Sequence, residues 1–260
     1  VTSTAPVSRR LAGQRLVVTG ASTGIGRAVA VACARAGARV VVNYVANAAA
    51  AAETLALVRA AGAEGTLLAA DVADPEAVAR LAREAVAWLG GLDGWCNVAG
   101  ADVLTGEGAR LDRLGKLARL IDVDLRGTML CCWEAARHFG PDRPGVIVNT
   151  SWDQALTGMG GENPELFAAV KGGVTGFTRS LARSLAPTVR VNEVAPGWIA
   201  TDFARQAMRP EYFESVVQAT PLARFGTPED VAAAFVWLLS PEAAFVTGQS
   251  IRVNGGLVSG

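Results

Sequence analysis

Two stretches of the chain carry residues whose types and spacing suggest chemistry. The first is Gly20-Ala21-Ser22-Thr23-Gly24-Ile25-Gly26. Between a strand and a helix, glycines at this spacing have separate physical tasks. One permits a sharp turn, one lets the backbone approach a pyrophosphate, and one lets the helix lie against the strand. The start of the helix then offers open N–H groups and a partial positive charge to phosphate oxygens. The second stretch is Ser151-Trp152-Asp153. A tryptophan face attracts a cation by ~0.5–2 kcal/mol. A carboxyl group beside it, in a desolvated pocket, titrates high enough to serve as an acid.

A phosphate cradle needs a strand before it and a helix after it, and the apolar pattern supplies both. Strands are expected at 15–19, 39–43, 66–71, 92–98, 145–150, 189–194 and 250–253. Helices are expected at 24–36, 47–61, 75–89, 111–138, 164–185, 201–219 and 228–239. Gly37 and Gly62 stop two of them. Asp74 and Pro75 open a third as N-cap and first helical residue, and Thr227 caps the last. Continuous apolar strands alternating with helices imply the α/β class: one doubly wound, Rossmann-like parallel sheet with helices on both faces. Residues 1–10 read as a polar tail without the apolar core of a signal peptide. Residues 11–260 read as one dinucleotide-binding domain that includes the substrate site.

Composition narrows the partners. With 260 residues, 51% hydrophobic and 18% charged, the chain buries one substantial core. Its 24 Lys+Arg balance 24 Asp+Glu, so no electrostatic case exists for nucleic acid or an anionic membrane. No apolar run is clean enough to span a bilayer. Cys33, Cys96, Cys131 and Cys132 have no ligand spacing with the single His138, so no metal site is expected. Adjacent Cys131 and Cys132 read as packing residues, and a reducing cytoplasm fits them.

Further segments follow the glycine turn in order: Asp71-Val72, Asn97-Val98-Ala99-Gly100, Pro196-Gly197 with Thr201, Thr247-Gly248-Gln249 and Val253-Asn254-Gly255-Gly256. Through these the chain resembles the short-chain dehydrogenase/reductase family over almost its whole length. The resemblance implies a nicotinamide cofactor held by Gly20, Ser22, Thr23, Gly24, Ile25, Gly26, Asn43, Tyr44, Asp71, Val72, Asn97, Ala99, Gly100, Lys171, Pro196, Gly197, Ile199 and Thr201. It also implies hydride delivery near Trp198 and Ile199, and a homodimer or homotetramer paired through the two long helices. NAD binders usually place an acid about 20 residues beyond the glycines. Here that place reads Asn43-Tyr44. NADP(H) is therefore preferred and NAD(H) remains possible, since no arginine stands plainly there either.

The family's reaction implies a Tyr acid, a Lys four residues later, a Ser near the carbonyl and an Asn on the long helix. This chain keeps only Lys171. Phe167 stands at the Tyr position, Trp152 at the Ser position with Ser151 one step earlier, and Asp124 at the Asn position. Phenylalanine has no exchangeable proton, and losing a general acid typically costs ~10²–10⁴-fold. Hydride addition to an iminium carbon escapes that demand, because the electrophile is already cationic. The reading is therefore a reductase of a cyclic imine, iminium or hemiaminal in specialised metabolism. Asp153 would be acid or cation partner, Trp152 and Phe167 apolar walls, and Lys171 the ribose contact.

Rival readings stand beside it. Ser151 and Asp153 would serve a carbonyl reductase as substitute donors. An isomerase or cyclase, or a silent cofactor-binding protein, would also fit the fold. Trp152 either packs its loop or touches substrate, and Asp153 either acts or caps a turn with Gln154. Asp124 is a relay residue or a satisfied helix acid. Glu193 is expected to pair with an arginine. His138 is expected to favour a helix C-terminus. Asp102 either rims the pocket or is ordinary loop polarity.

Overall fold

The computed structural model describes residues 9–201 and 208–258. Seven parallel strands form one sheet in the order β3-β2-β1-β4-β5-β6-β7. They are β1 Arg15–Val18, β2 Arg39–Tyr44, β3 Gly65–Ala69, β4 Gly94–Asn97, β5 Gly145–Thr150, β6 Val189–Pro196 and β7 Ser250–Val253. The chain winds outward from β1 in one direction, then crosses to β4 and winds in the other. That reversal opens a crevice at the carboxyl ends of the strands.

Helices cover both faces because the strands are apolar on both. On one face, α1 (Gly24–Arg35) and the helix Pro228–Leu239 bury Val18, Val40, Val148 and Val194. On the other, α3 (Pro75–Leu89) and neighbouring helices bury Val17, Val41, Ile147 and Val191. The alternation along each strand sends successive side chains to opposite layers. Helix α2 (Ala48–Ala60) follows β2, with Asn47 as its N-cap.

The expected caps are present. Asp74 accepts from Glu76 N, Pro75 opens α3, and Gly90 ends it at φ 74°. Thr227 and Asp230 form a reciprocal capping box. The helix expected at 111–138 is the main departure. It consists of α5 (Arg113–Leu120), a π-helical segment Ile121–Arg126 and α6 (Gly127–Ala136), preceded by the short α4 (Gly106–Ala109). Apolar periodicity does not separate a π turn from α turns, because both present the same stripe. Helix α7 spans Glu162–Leu185, two residues earlier than expected. Of the helix expected at 201–219, the span Pro210–Ala219 is helical, and 202–207 lie outside the described residues. Among the described residues no helix is long and apolar enough to cross a membrane, and no His/Cys/Asp/Glu group is set to hold a metal.

Candidate active site

A cleft of about 1290 Å³ crosses the carboxyl edge of the sheet, from the ends of β2 and β3 to those of β5 and β6. Its first half is made of backbone. A Cβ on Gly26 would lie 2.2 Å from the Gly20 carbonyl oxygen, and one on Gly20 would lie 2.6 Å from Ala99 Cα. Gly20 and Gly24 have φ of 60° and 54°, which glycine alone adopts freely. Thr23 caps α1 without a side-chain bond, and the first turn of α1 holds no acid. Open N–H groups and no opposing carboxylate fit a dinucleotide pyrophosphate. Ser22, Ile25, Tyr44, Asp71, Val72, Ala99, Gly100, Pro196, Gly197, Ile199 and Thr201 line the same cleft.

Two expected cofactor residues bond within the protein, and of these Asn43 also lines the cleft. Asn43 is buried, accepts from Gly20 N at 3.3 Å and donates to Leu68 O and Ala70 O. It props the glycine turn from below. Asn97 does not line the cleft. Its amide accepts from Trp95 Nε1 and donates to Asn149 Oδ1, each at 2.9 Å. Asn97 is a strand residue whose alternation points it into a layer, a direction that a motif match does not specify. Arg27 is likewise occupied, by Ser22 O, Thr54 Oγ1 and Glu53.

The second half is made of side chains. Phe167 and Lys171 sit one turn apart on α7 and both line the cleft. Lys171 Nζ lies 2.7 Å from Asp124 Oδ1 and donates to Thr150 O at 3.2 Å. Asp124 Oδ2 accepts from Ala101 N at 2.8 Å. The π segment carries Asp124 to this position, and such segments recur at functional sites. This is the one ion pair among the described residues with both side chains under a tenth exposed. Trp152 meets the Phe167 ring edge-on, with centroids 6.4 Å apart, and lines the cleft. Ser151 also lines it, with its buried hydroxyl unpartnered.

Asp153 is corrected. Its carboxylate does not line the cleft but turns behind Gly197, where Oδ2 accepts from Asn254 at 3.2 Å and Oδ1 has no partner. Burial raises its carboxyl above the ordinary value, as expected, against the opposing Asn254 bond and Arg252 charge. The carboxyl expected inside a desolvated pocket is thus buried beside the cleft and not in its lining. The Asp153 backbone N bonds Pro196 O, following Ser151 N to Val194 O, so the ladder runs three residues past the expected strand end at 150.

Glu193 is also corrected. It forms no ion pair among the described residues; Oε1 accepts the Thr175 hydroxyl at 2.8 Å and Oε2 is unpartnered. Asp102 lines the cleft, with its carboxylate bound to Leu104 N, Thr105 N and the Thr105 hydroxyl. His138 follows α6 and lies outside the cleft. Arg119, Met159, Asn163 and Tyr212 also line the cleft, and none of them was singled out individually from the sequence. Tyr212 carried a usable signal, since the chain holds only 2 tyrosines.

Residues 20–258 match the family described as enoyl-(acyl carrier protein) reductase. The chain is 37% identical over 251 residues to a 3-oxoacyl-[acyl-carrier-protein] reductase of Synechocystis, covering 95% of this chain and 98% of the relative. The chain belongs to the short-chain dehydrogenase/reductase family. A Burkholderia cenocepacia short-chain dehydrogenase in complex with NADP superposes with TM-score 0.85 at 33% identity, covering 95% of this chain and 99% of that one. A 7α-hydroxysteroid dehydrogenase complexed with NADH and 7-oxo glycochenodeoxycholic acid gives TM-score 0.87 at 30% identity, covering 96% of each. On this relationship the chain is an oxidoreductase of the short-chain type, with a seven-stranded Rossmann-like fold.

Proposed function

We propose that the protein is an NADP(H)-dependent reductase of a cyclic imine or iminium carbon, acting in specialised metabolism. The observation that carries this reading is Phe167 lining the cleft one turn before a lysine already paired with Asp124. Ketone reduction builds negative charge on oxygen, which needs a donor or a positive field. The phenyl ring gives neither, and the Lys171–Asp124 pair carries no net charge. Iminium reduction cancels a positive charge instead. The neutral pair does not repel such a substrate, and the Trp152 face attracts it. A bound nicotinamide supplies the hydride. Lys171 keeps a further N–H for the nicotinamide ribose, beyond those given to Asp124 and Thr150 O. With Asp153 outside the cleft, a hemiaminal must lose water before it enters.

The lack of a carboxylate at the end of β2 supports NADP(H) over NAD(H). Exposed Trp133, in edge contact with Phe177 across α6 and α7, supports pairing of two copies along those helices. The test follows nicotinamide absorbance with NADPH against cyclic iminium ions and simple ketones. Turnover of the iminium ions with ketones inert is expected; efficient ketone turnover with iminium ions inert overturns the reading. The unpartnered Ser151 hydroxyl favours one alternative, carbonyl reduction with Ser151 as hydrogen-bond donor. Ketone turnover that disappears in Ser151→Ala identifies that case.

A further inference from the structure

Trp152 and Trp198 leave the ends of neighbouring strands. The β5–β6 ladder continues through Ser151 N to Val194 O and Asp153 N to Pro196 O, at 2.9 and 3.1 Å. Strand spacing places the two departing segments roughly 5 Å apart. Each tryptophan is braced by its own aromatic neighbours. Trp152 meets Phe167 edge-on. Trp198 meets Tyr212 edge-on at 5.7 Å and Phe225 at 6.3 Å. Phe225 in turn stacks on Phe213 with centroids 4.0 Å apart and planes 4° from parallel. Bracing of this kind fixes side-chain rotamers before any ligand arrives, which lowers the entropy cost of binding.

Trp152, Phe167, Trp198 and Tyr212 all line the cleft at the end away from Tyr44, Asp71 and Val72. None of the four is fully buried. Met159, Leu104 and Leu111 extend the apolar wall. A concave surface of part-exposed, pre-positioned rings is built to be covered by a ligand. A small alicyclic cation would occupy one ring face and leave the others wet. A planar arene covers more of them, at ~0.5–1.5 kcal/mol per aromatic contact.

We infer that this end of the cleft binds a planar arene, so that the substrate is an arene-fused cyclic iminium and not an alicyclic one. The identity of the reacting group rests on the proposed iminium reading; the arene site does not. The experiment uses the NADPH-loaded protein with two probe pairs. Binding is read by tryptophan fluorescence with tetrahydroisoquinoline against piperidine. Turnover is read with dihydroisoquinolinium against the six-membered alicyclic imine. The arene is expected to bind roughly tenfold or more tightly, and Trp152→Leu and Trp198→Leu are each expected to weaken it several-fold with NADPH affinity unchanged. Tyr212→Leu, at a 37% exposed position, gives a second variant if either tryptophan variant fails to fold.

Equal binding of arene and piperidine, or an arene preference unmoved by these variants, overturns the inference. Reduction of both imines at equal efficiency together with equal binding does so while leaving the iminium reading intact. Ring-dependent arene binding with neither iminium ion reduced sustains the arene site and removes the iminium reading.

Discussion

The two halves of the cleft are built from different materials. The half at β1, β2 and α1 is a backbone device. Gly20 and Gly26 leave no room for a methyl group, and the polar side chains of Asn43 and Arg27 bond to the turn at Gly20 N and Ser22 O. The half at β5, β6 and α7 is a side-chain device. Of the buried side-chain atoms without partners among the described residues, Ser151 Oγ lines it, and Asp153 Oδ1 and Glu193 Oε2 belong to the strand ends behind it. Backbone sterics tie the first half to the fold itself, so altering it displaces the turn that would hold the cofactor. The second half contributes side chains to a ligand, so its chemistry can be rewritten while the sheet stays the same.

The comparison is sharpened most by removing the charge that joins the two. Lys171→Met leaves Asp124 buried beside Ala101 N without its cation, a loss of about 3–5 kcal/mol for a broken buried pair. Chemical denaturation measures it. The double variant Lys171→Met/Asp124→Asn should recover most of the stability, because both charges are gone. If the single variant is as stable as the parent, the pair is not the electrostatic centre of the site.

Gly26→Ala tests the backbone half. The added methyl group meets the Gly20 carbonyl oxygen, and relief requires the turn to shift, at about 3 kcal/mol. NADPH affinity should fall by roughly a hundredfold in protein that is still folded. This half was legible in the sequence because sterics leave glycine as the one tolerable residue. The alternation of strands and helices along the chain was legible for a related reason: a parallel sheet covered on both faces demands continuous apolar runs. What could not be read was direction. Asn97 and Asp153 have suitable chemistry at suitable positions, yet strand alternation and two extra ladder bonds keep their side chains out of the cleft lining. The π segment was also hidden, since Asp124 reaches Lys171 through a backbone detail that leaves the hydrophobic stripe unchanged.

Phe167→Tyr asks whether the side-chain half can be rewritten back. A phenol alone gains little, because Asp124 still cancels the Lys171 charge that would favour its ionised form. Combining it with Asp124→Asn should raise ketone reduction by about tenfold over either single variant, short of the ~10²–10⁴ of a full general acid. Trp152 accounts for the shortfall, as it packs against position 167 without offering a hydroxyl. A large gain from Phe167→Tyr alone would mean that Asp124 does not quench the lysine.

The smallest expected effect concerns Asp153, which shares the chemistry of the catalytic half but not its surface. Burial behind Gly197 holds its carboxyl above the ordinary value, outweighing the Asn254 bond. The folded chain therefore keeps a proton that the unfolded chain releases at lower pH. Stability must then fall as pH rises from the ordinary aspartate value, about 3.9, through the raised one. Asp153→Asn removes that dependence while keeping an oxygen to accept from Asn254. Its Tm should match the parent near pH 4 and exceed it modestly near pH 8. The same variant should leave iminium turnover within a few-fold of the parent, because Asp153 is not among the residues that line the cleft. A stability gain with activity retained places Asp153 with the buried strand residues. Abolished turnover with intact cofactor binding would return it to the cleft, and the division between the two halves would have to be redrawn.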